Sequence, residues 1–390
     1  MNQRPPYILP LIIISQFAGT SLWFVGNAIL PDIQRQMQLA NEAVANITSS
    51  VQFGFIAGTL VFALLAIADR FSPSKVFFIS SIIAALFNLS VLWINESFYL
   101  LLLCRFFTGF FLAGIYPVGM KIASDWFEKG LGNALGYLVG ALVLGTALPH
   151  LLKGFSYTIS WEKIVVFTSL FASVGGLLIF LFVKDGPFRK LSSSFKLENI
   201  NLIFLAKDFR AAALGYFGHM WELYTLWAFV PFILQMYNQM NNEQIPVALW
   251  SFLIIGIGSI SCIVGGRLSK KWGSKKVAFY SLLLSGICCL VSPFIFSFNL
   301  LFFLSFLLIW GSSVIADSPQ FSTLIAQTAP VQNKGTALTI VTSIGFAITI
   351  ISIQLLQYFK NYLDEYVFWL LLPGPLAGIL FFRKMKLKNE

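Results

Sequence analysis

Charged side chains are scarce in this chain of 390 residues: they make up 11% of it, whereas hydrophobic residues make up 57%. A soluble domain carries about 25% charged residues, so this chain lacks the polar groups that would cover a water-facing surface of its size. Its mean hydropathy is +0.80. These values argue against a soluble enzyme, a disordered chain and a fibrous protein.

Residues with catalytic or metal-binding chemistry are also few. The sequence has two histidines and four cysteines, and it contains no Ser-His-acid arrangement, no HExxH pattern and no GxxxxGK[ST] phosphate-binding motif. We therefore expect no enzyme activity, no metal, no cofactor and no ATP-driven step. The cysteines all fall in apolar runs, where we interpret them as small packing residues.

What the sequence has in abundance is apolar runs of about 20 residues, the length that spans a bilayer as a helix. Short polar breaks separate them. We place twelve spans at 7–30, 46–68, 75–95, 98–124, 131–153, 164–183, 211–236, 247–268, 276–297, 299–325, 335–358 and 362–382. The pattern predicts an all-α integral membrane protein.

The net charge of +10 is distributed unevenly along the chain. With both termini on one side of the membrane, that side and its loops hold 21 of the 26 Lys and Arg residues. The others are Arg35, Lys153, Lys163 and Lys360 in opposite loops and Arg105 inside a span. This asymmetry predicts cytosolic termini in the plasma (inner) membrane, and it argues against nucleic-acid binding.

The two halves of the chain repeat each other at an offset of about 200 residues. Gly109 and Pro117 in span 4 match Gly311 and Pro319 in span 10, and the loop from Leu65 to Lys75 matches the loop from Gly266 to Lys276. Six spans return the chain to its starting side, so the halves have the same orientation, as in parallel-repeat transporters. We predict bundles at 1–183 and 211–390, joined by a cytosolic linker at 184–210.

The two repeated loops and span 4 resemble signatures of the major facilitator superfamily. The first loop matches the family loop signature at Asp69 and Arg70. The second matches at Gly266 and Gly273, with Lys270 where the family has an acid. The span 4 signature, Arg-x-x-x-Gly, matches at Arg105 and Gly109.

This resemblance covers essentially the whole chain. It implies two six-helix bundles, a central cavity lined by spans 1, 4, 7 and 10, and transport by alternating access. The family's span 5 antiporter signature, a mid-helix Gly-Pro pair, is absent. The segment from Gly218 to Tyr224 resembles a poorly characterised bacterial branch near nitrate and cyanate-type permeases.

Ionisable residues are costly inside hydrocarbon, and they mark candidate functional sites. Arg105, Glu222 and Asp317 lie deep in spans 4, 7 and 10. We expect Arg105 to bind an anionic substrate, with Glu222 as its counter-charge in the empty site. Glu222 and His219 share one face of span 7 and form the predicted proton-coupling element, together with Asp317. For His219, a structural hydrogen bond to a neighbouring helix is an equal alternative.

Polar residues recur at helical spacing on the same four spans. The predicted substrate-binding residues besides Arg105 are Gln16, Thr20, Trp23, Tyr116, Tyr224, Ser313 and Gln320. For Gln16, Thr20 and Ser313, hydrogen bonding between helices without a substrate is an alternative of equal weight.

Gating residues are predicted where the halves are expected to slide past each other. They are Asp69, Arg70, Gly132, Gly136, Gly140, Gly266 and Gly273. Asp69 is expected to meet the start of span 11. The ridges of small residues at 132–140 and at Gly54 and Gly58 fit either an interface between the halves or static packing. We interpret Lys271, Lys275 and Lys276 as orientation signals.

The sequence therefore predicts a secondary transporter that moves a small polar or anionic solute across the bilayer by proton-coupled uptake, and that acts as a monomer. The alternative is proton-coupled efflux of amphipathic or cationic drugs or metabolites, held by Glu222 and Asp317.

Overall fold

A computed structural model describes residues 5–38, 43–94, 97–127, 131–155, 159–189, 204–329, 334–383 and 385. Within these ranges all regular structure is helical, which confirms the predicted all-α class. The chain divides into two compact units, Met1–Phe195 and Lys196–Glu390, called unit 1 and unit 2 below.

The helices described in unit 1 are α1 (Ile8–Thr20), α2 (Val25–Met37), α3 (Ala43–Leu64), α4 (Ile67–Arg70), α5 (Pro73–Ser90), α6 (Phe98–Leu112), α7 (Tyr116–Trp126), α8 (Leu131–Gly154) and α9 (Trp161–Phe182). A short 3-10 helix, Val91–Trp93, continues α5.

The longer helices described in unit 2 are α10 (Lys207–Asn241), α11 (Val247–Trp272), α12 (Ser274–Val291), α13 (Leu300–Ala316), α14 (Ser318–Thr328), α15 (Lys334–Phe359) and α16 (Pro373–Phe382). The 3-10 helices Ser292–Ser297 and Asp364–Leu371 extend α12 and precede α16.

Eleven stretches of the described residues are long and apolar enough to cross a membrane. They correspond to the predicted spans other than span 7. Span 7 is α10, which has 35 residues and is less apolar because it carries His219 and Glu222. Every predicted span therefore has a helical counterpart.

Spans 1, 4 and 10 are interrupted where the sequence predicts continuous helices, and span 2 also turns at residues 65–66, near its end. Span 1 breaks at residues 21–24, span 4 at 113–115 and span 10 at Asp317. Pro117 and Pro319 lie in the first turn of the helix after the break, where proline is favoured because the missing N–H would have no helical partner. The break in span 1 has no such residue.

Glycines let helices within each unit approach backbone to backbone. A Cβ on Gly54 or Gly58 of α3 would collide with the carbonyls of Phe106 and Phe110 of α6, and Gly109 of α6 packs in the same way on α3. The ridge at Gly54 and Gly58 therefore packs inside unit 1, as the alternative of static packing predicts.

The first residues of the predicted linker are bonded to unit 1. The Trp126 indole donates to the Lys184 carbonyl at 2.9 Å, and Arg189 donates to the carbonyls of Asp69 and Phe71 at 3.0 and 2.8 Å. Residues 190–203 lie outside the described part of the chain. The predicted limits 1–183, 184–210 and 211–390 stay predictions.

Candidate functional site

The guanidinium of Arg105 is buried in unit 1, with 1% of the residue exposed. Its Nη1 donates to the side-chain oxygen of Asn88 at 2.7 Å. Its Nη2 donates to the carbonyls of Leu22 and Trp23 at 2.6 and 3.1 Å. We call Arg105 and these three acceptors the arginine hub.

The break in span 1 makes this arrangement possible. In a continuous helix the carbonyls of Leu22 and Trp23 would accept N–H groups four residues onward, but here residues 21–24 form turns between α1 and α2. Gly26 lies in the first turn of α2, where a Cβ would collide with the Ile47 side chain at 2.5 Å and contact Nε of Arg105 at 3.5 Å. Glycine at this position lets α2 pack closely on α3 beside the guanidinium.

Asn88 connects the arginine hub to a fourth span. Its amide nitrogen donates to the hydroxyls of Ser169 and Thr168 at 2.9 and 3.3 Å, and to the Val165 carbonyl. Arg105 and Asn88 together therefore link spans 1, 3, 4 and 6 within unit 1.

The other predicted substrate-binding residues of unit 1 lie in and beside span 1. Thr20 donates to the Gln16 carbonyl of its own helix at 2.8 Å. The Gln16 amide is buried beside Gly119 and has no hydrogen-bond partner among the described residues. The Trp23 ring contacts Phe55, and Tyr116 begins α7.

In unit 2 a buried carboxyl collects three donors on one oxygen. Oε1 of Glu222 accepts from the Trp310 indole at 2.6 Å, from the Cys289 thiol at 3.2 Å and from the Ser285 hydroxyl. Oε2 accepts no hydrogen bond from the described residues. Glu222 is 1% exposed. We call these four residues the glutamate hub; it links spans 7, 9 and 10.

His219 has a different partner from Glu222, although the two share a helix face. Nδ1 of His219 lies 2.8 Å from Oδ1 of Asp317, which occupies the break in span 10. The rings of Tyr216 and Phe321 flank the imidazole at 5.9 Å between centroids. On α10, His219 thus approaches Asp317, whereas Glu222 bonds to α12 and α13. The proton-coupling role of these three residues stays a prediction.

The remaining predicted substrate-binding residues of unit 2 are divided among its helices. Tyr224 packs against Trp227 and Phe346. Ser313 donates to the Trp310 carbonyl at 3.1 Å, one helical turn from the glutamate hub. Gln320 is buried on α14.

The predicted gating residues have mixed surroundings. Asp69 pairs with Lys121 at 2.8 Å inside unit 1, and Arg70 is exposed. A Cβ on Gly132 or Gly266 would meet no atom of the described residues within 4 Å. Gly136 and Gly140 are buried, and Gly273 has a left-handed φ of 79° in the turn before α12. Their gating roles, like the binding roles above, stay predictions.

The two hubs occupy corresponding positions in the internal repeat. At offsets of 200 and 201 residues, Leu22 corresponds to Glu222 and Asn88 to Cys289. In both units the first, third and fourth spans meet at a buried charged group. Unit 1 supplies a cation from its fourth span, whereas unit 2 supplies a carboxyl from its first.

Sequence analysis missed the partners Asn88, Ser285 and Cys289. Asn88 is an amide within an apolar span, a signal that could have identified it. The interpretation of Cys289 as a packing residue is incomplete, because its thiol donates to Glu222.

The sequence model of the Major Facilitator Superfamily matches residues 11–353. An uncharacterized protein of Campylobacter jejuni is 26% identical over 316 residues, which cover 78% of this chain and 93% of that protein. A transporter of the ascochitine biosynthesis cluster of Didymella fabae is 27% identical over 140 residues, 34% of this chain and 26% of that protein.

Two solved structures share the fold at low sequence identity. The human organic anion transporter MFSD10 has a TM-score of 0.74 at 14% identity, covering 98% of this chain and 100% of that one. A mutant of the nucleoside transporter NupG has a TM-score of 0.71 at 12% identity, with 97% and 98% covered. The chain thus belongs to the Major Facilitator Superfamily, and it is a membrane transporter of small molecules rather than an enzyme.

Proposed function

We propose that this transporter carries out proton-coupled uptake of a small polar or anionic solute, with Glu222 as the residue that binds the proton. The observation that carries the proposal is that the protein donates hydrogen bonds to only one oxygen of the Glu222 carboxyl. Three donors stabilise Oε1, and Oε2 has no hydrogen-bond partner among the described residues. A proton on Oε2 removes the buried charge and leaves the three hydrogen bonds to Oε1 in place.

The surroundings of Glu222 hold few other ionisable groups. Cys288 and Cys289 face it from α12, and Asp317 acts on it from the break in span 10. No cation is within ion-pair distance of Glu222 among the described residues of unit 2. Because a buried carboxylate without a cation is costly, proton binding is the available route to neutrality.

In this proposal a substrate that binds Arg105 has to reach a buried guanidinium. Nη1 and Nη2 donate to three protein groups of unit 1, and Nε has no hydrogen-bond partner among the described residues. Because Arg105 is 1% exposed, binding of an anion there requires the hub to open. The similarity in fold to an organic anion transporter and to a nucleoside transporter suggests two substrate classes for a first screen.

The decisive experiment measures the protonation of the Glu222 carboxyl directly. Infrared difference spectra of the reconstituted protein, recorded between acid and neutral pH, are expected to show the C=O stretch of one protonated buried carboxylic acid. Glu222→Gln should remove that band, whereas Asp317→Asn should leave it. An unchanged spectrum of the Glu222→Gln protein contradicts the assignment.

Transport supplies the second test. A thermal-shift screen with organic anions, nucleosides and amines identifies ligands that stabilise the purified protein. Wild type should then accumulate the labelled ligand in proteoliposomes when a proton gradient is imposed, whereas Glu222→Gln should retain only exchange. Gradient-driven accumulation by that variant contradicts the proposal.

Efflux of amphipathic or cationic compounds is the second candidate. The aromatic environment of the buried acids of unit 2, with Trp310 on Glu222 and Tyr216 and Phe321 around His219, favours it. Depletion rather than accumulation of the ligand in cells would select this alternative. For either direction we propose a monomer in the plasma (inner) membrane with cytosolic termini.

A further inference from the structure

The turn between α11 and α12 carries cations that the transport proposal does not use. Lys270 and Lys271 end α11, and Lys276 lies in the first turn of α12. All three are exposed, and none forms an ion pair with a described residue. We call Lys270, Lys271, Trp272 and Lys276 the basic turn.

The corresponding turn of unit 1 is built differently. Asp69, which matches Lys270 at an offset of 201, pairs with Lys121, and Arg189 donates to the carbonyls of Asp69 and Phe71. That turn therefore holds an acid that is paired inside its own unit, and its exposed cations are Arg70 and Lys75. The basic turn holds no acid, and three exposed lysines cluster there.

Two further features of the basic turn suit a lipid. Trp272 has 52% of its surface exposed between the lysines, and indole rings prefer the level of the lipid headgroups. Both helices that leave the turn carry stripes of exposed apolar side chains at helical spacing. These residues are Leu253, Ile260 and Val264 on α11, and Tyr280, Leu283, Leu284 and Ile287 on α12.

The backbone adds a weaker contribution. Gly273 precedes α12 with a φ of 79°, and no side chain caps the first N–H groups of that helix. Uncapped amides at a helix N-terminus favour negative charge. Lys275 is not available to a ligand, because its Nζ donates to the Met385 carbonyl at 2.6 Å.

We propose that the basic turn binds the phosphate headgroup of an anionic phospholipid, whose acyl chains lie along the apolar stripes of α11 and α12. The lysines supply the charge, Trp272 lies at the glycerol level and the stripes contact the chains. This site is separate from both hubs, and the proposal depends neither on the direction of transport nor on the substrate.

The test measures lipid retention by the delipidated full-length protein in non-ionic detergent with native mass spectrometry. Phosphatidylglycerol is expected to be retained in preference to phosphatidylcholine. The triple variant Lys270→Gln, Lys271→Gln, Lys276→Gln should lose the preference, with the affinity falling about fivefold for each lysine removed. Replacement of the same residues by Arg should preserve it.

The matched control removes three exposed lysines elsewhere, through Lys75→Gln, Lys184→Gln and Lys207→Gln. Lys75 is the repeat equivalent of Lys276, so the pair Lys75→Gln and Lys276→Gln compares the two turns directly. The control variant should bind phosphatidylglycerol like wild type. An equal loss in both triple variants, or an unchanged preference in the Lys270/Lys271/Lys276 variant, overturns the proposal.

Soluble phosphates distinguish a lipid site from a site for a free anion. Inorganic phosphate and glycerol 3-phosphate have the headgroup chemistry without acyl chains. Neither should displace phosphatidylglycerol at equal concentration, because both lack the contacts with the apolar stripes. Full displacement by either compound overturns the lipid assignment.

Discussion

Arg105 shows how one side chain can supply hydrogen bonds to the backbone carbonyls that a helix break leaves without helical partners inside a membrane. The carbonyls of Leu22 and Trp23 have left their helical positions, and hydrocarbon offers them no water. The guanidinium supplies the donors, and its own charge is stabilised by neutral oxygen acceptors rather than by a carboxylate. The break and the buried cation therefore stabilise each other.

The first prediction concerns the mutual stabilisation of Arg105 and the break in span 1. Arg105→Gln removes donors from three buried acceptors, so we expect it to lower the free energy of unfolding by about 2–4 kcal/mol. Thermal unfolding of the detergent-solubilised protein measures the loss. Arg35→Gln is the control, because Arg35 forms an exposed pair with Asp32 and such pairs contribute little. Equal melting temperatures for the two variants would contradict the role of the arginine hub.

Trp310 is the second residue whose contribution can be isolated. Trp310→Phe keeps an aromatic ring but removes the N–H that donates to Glu222 at 2.6 Å. In a double-mutant cycle with Glu222→Gln we expect a coupling energy of about 1.5–3 kcal/mol, the range for a hydrogen bond to a charged group. Trp369→Phe, which removes a donor to the Leu290 carbonyl, should show coupling near zero.

At the scale of the helices, glycines at corresponding positions of the repeat make the same close backbone contact. Gly109 packs on the Val51 carbonyl between α6 and α3, and Gly311 packs on the Ile254 carbonyl between α13 and α11. The second and fourth spans of each unit thus touch through their backbones. Any side chain at these positions has to separate the two helices.

The third prediction compares crowded and open glycines. Gly109→Ala and Gly311→Ala should each destabilise the protein by about 1–3 kcal/mol, the typical cost of overpacking. Gly266→Ala has no atom of the described part of the chain within 4 Å of its new Cβ and should be neutral, or stabilise α11 by up to about 1 kcal/mol. Melting temperatures of the three variants in one detergent test this order.

Sequence reasoning located the helices because hydropathy alone determines where a chain can cross a bilayer. It did not predict the break at residues 21–24, since Ser21 to Phe24 contains neither glycine nor proline. The breaks before Pro117 and Pro319 had a signal, the proline in the first turn of the next helix. These prolines served only to align the repeat.

The candidate site was predicted in its charged members and not in its partners. Arg105, Glu222 and Asp317 stand out because charge is rare in apolar spans. Two acceptors of Arg105 are backbone carbonyls, which no side-chain pattern can reveal. The pairing of His219 with Asp317 instead of Glu222 depends on how α10 packs against the break in span 10, which helical spacing on α10 alone does not determine.

At the scale of the whole molecule, the uneven distribution of Lys and Arg predicts the orientation in the membrane. The fourth prediction uses single cysteines on the exposed residues Phe155 and Phe188. A membrane-impermeant thiol reagent should label Phe155→Cys in intact cells, because the loop between spans 5 and 6 is predicted to be extracytosolic. It should label Phe188→Cys only after permeabilisation. The reverse pattern would contradict cytosolic termini.

The opposite signs of the two hubs give the halves of the molecule different chemical sensitivities. A guanidinium stays charged at every pH a cell experiences, so the arginine hub in unit 1 keeps its charge. A carboxyl can exchange its proton, so the glutamate hub in unit 2 can alternate between a charged and a neutral form. Acidification of the surroundings therefore leaves the charge at Arg105 unchanged and can remove the charge at Glu222.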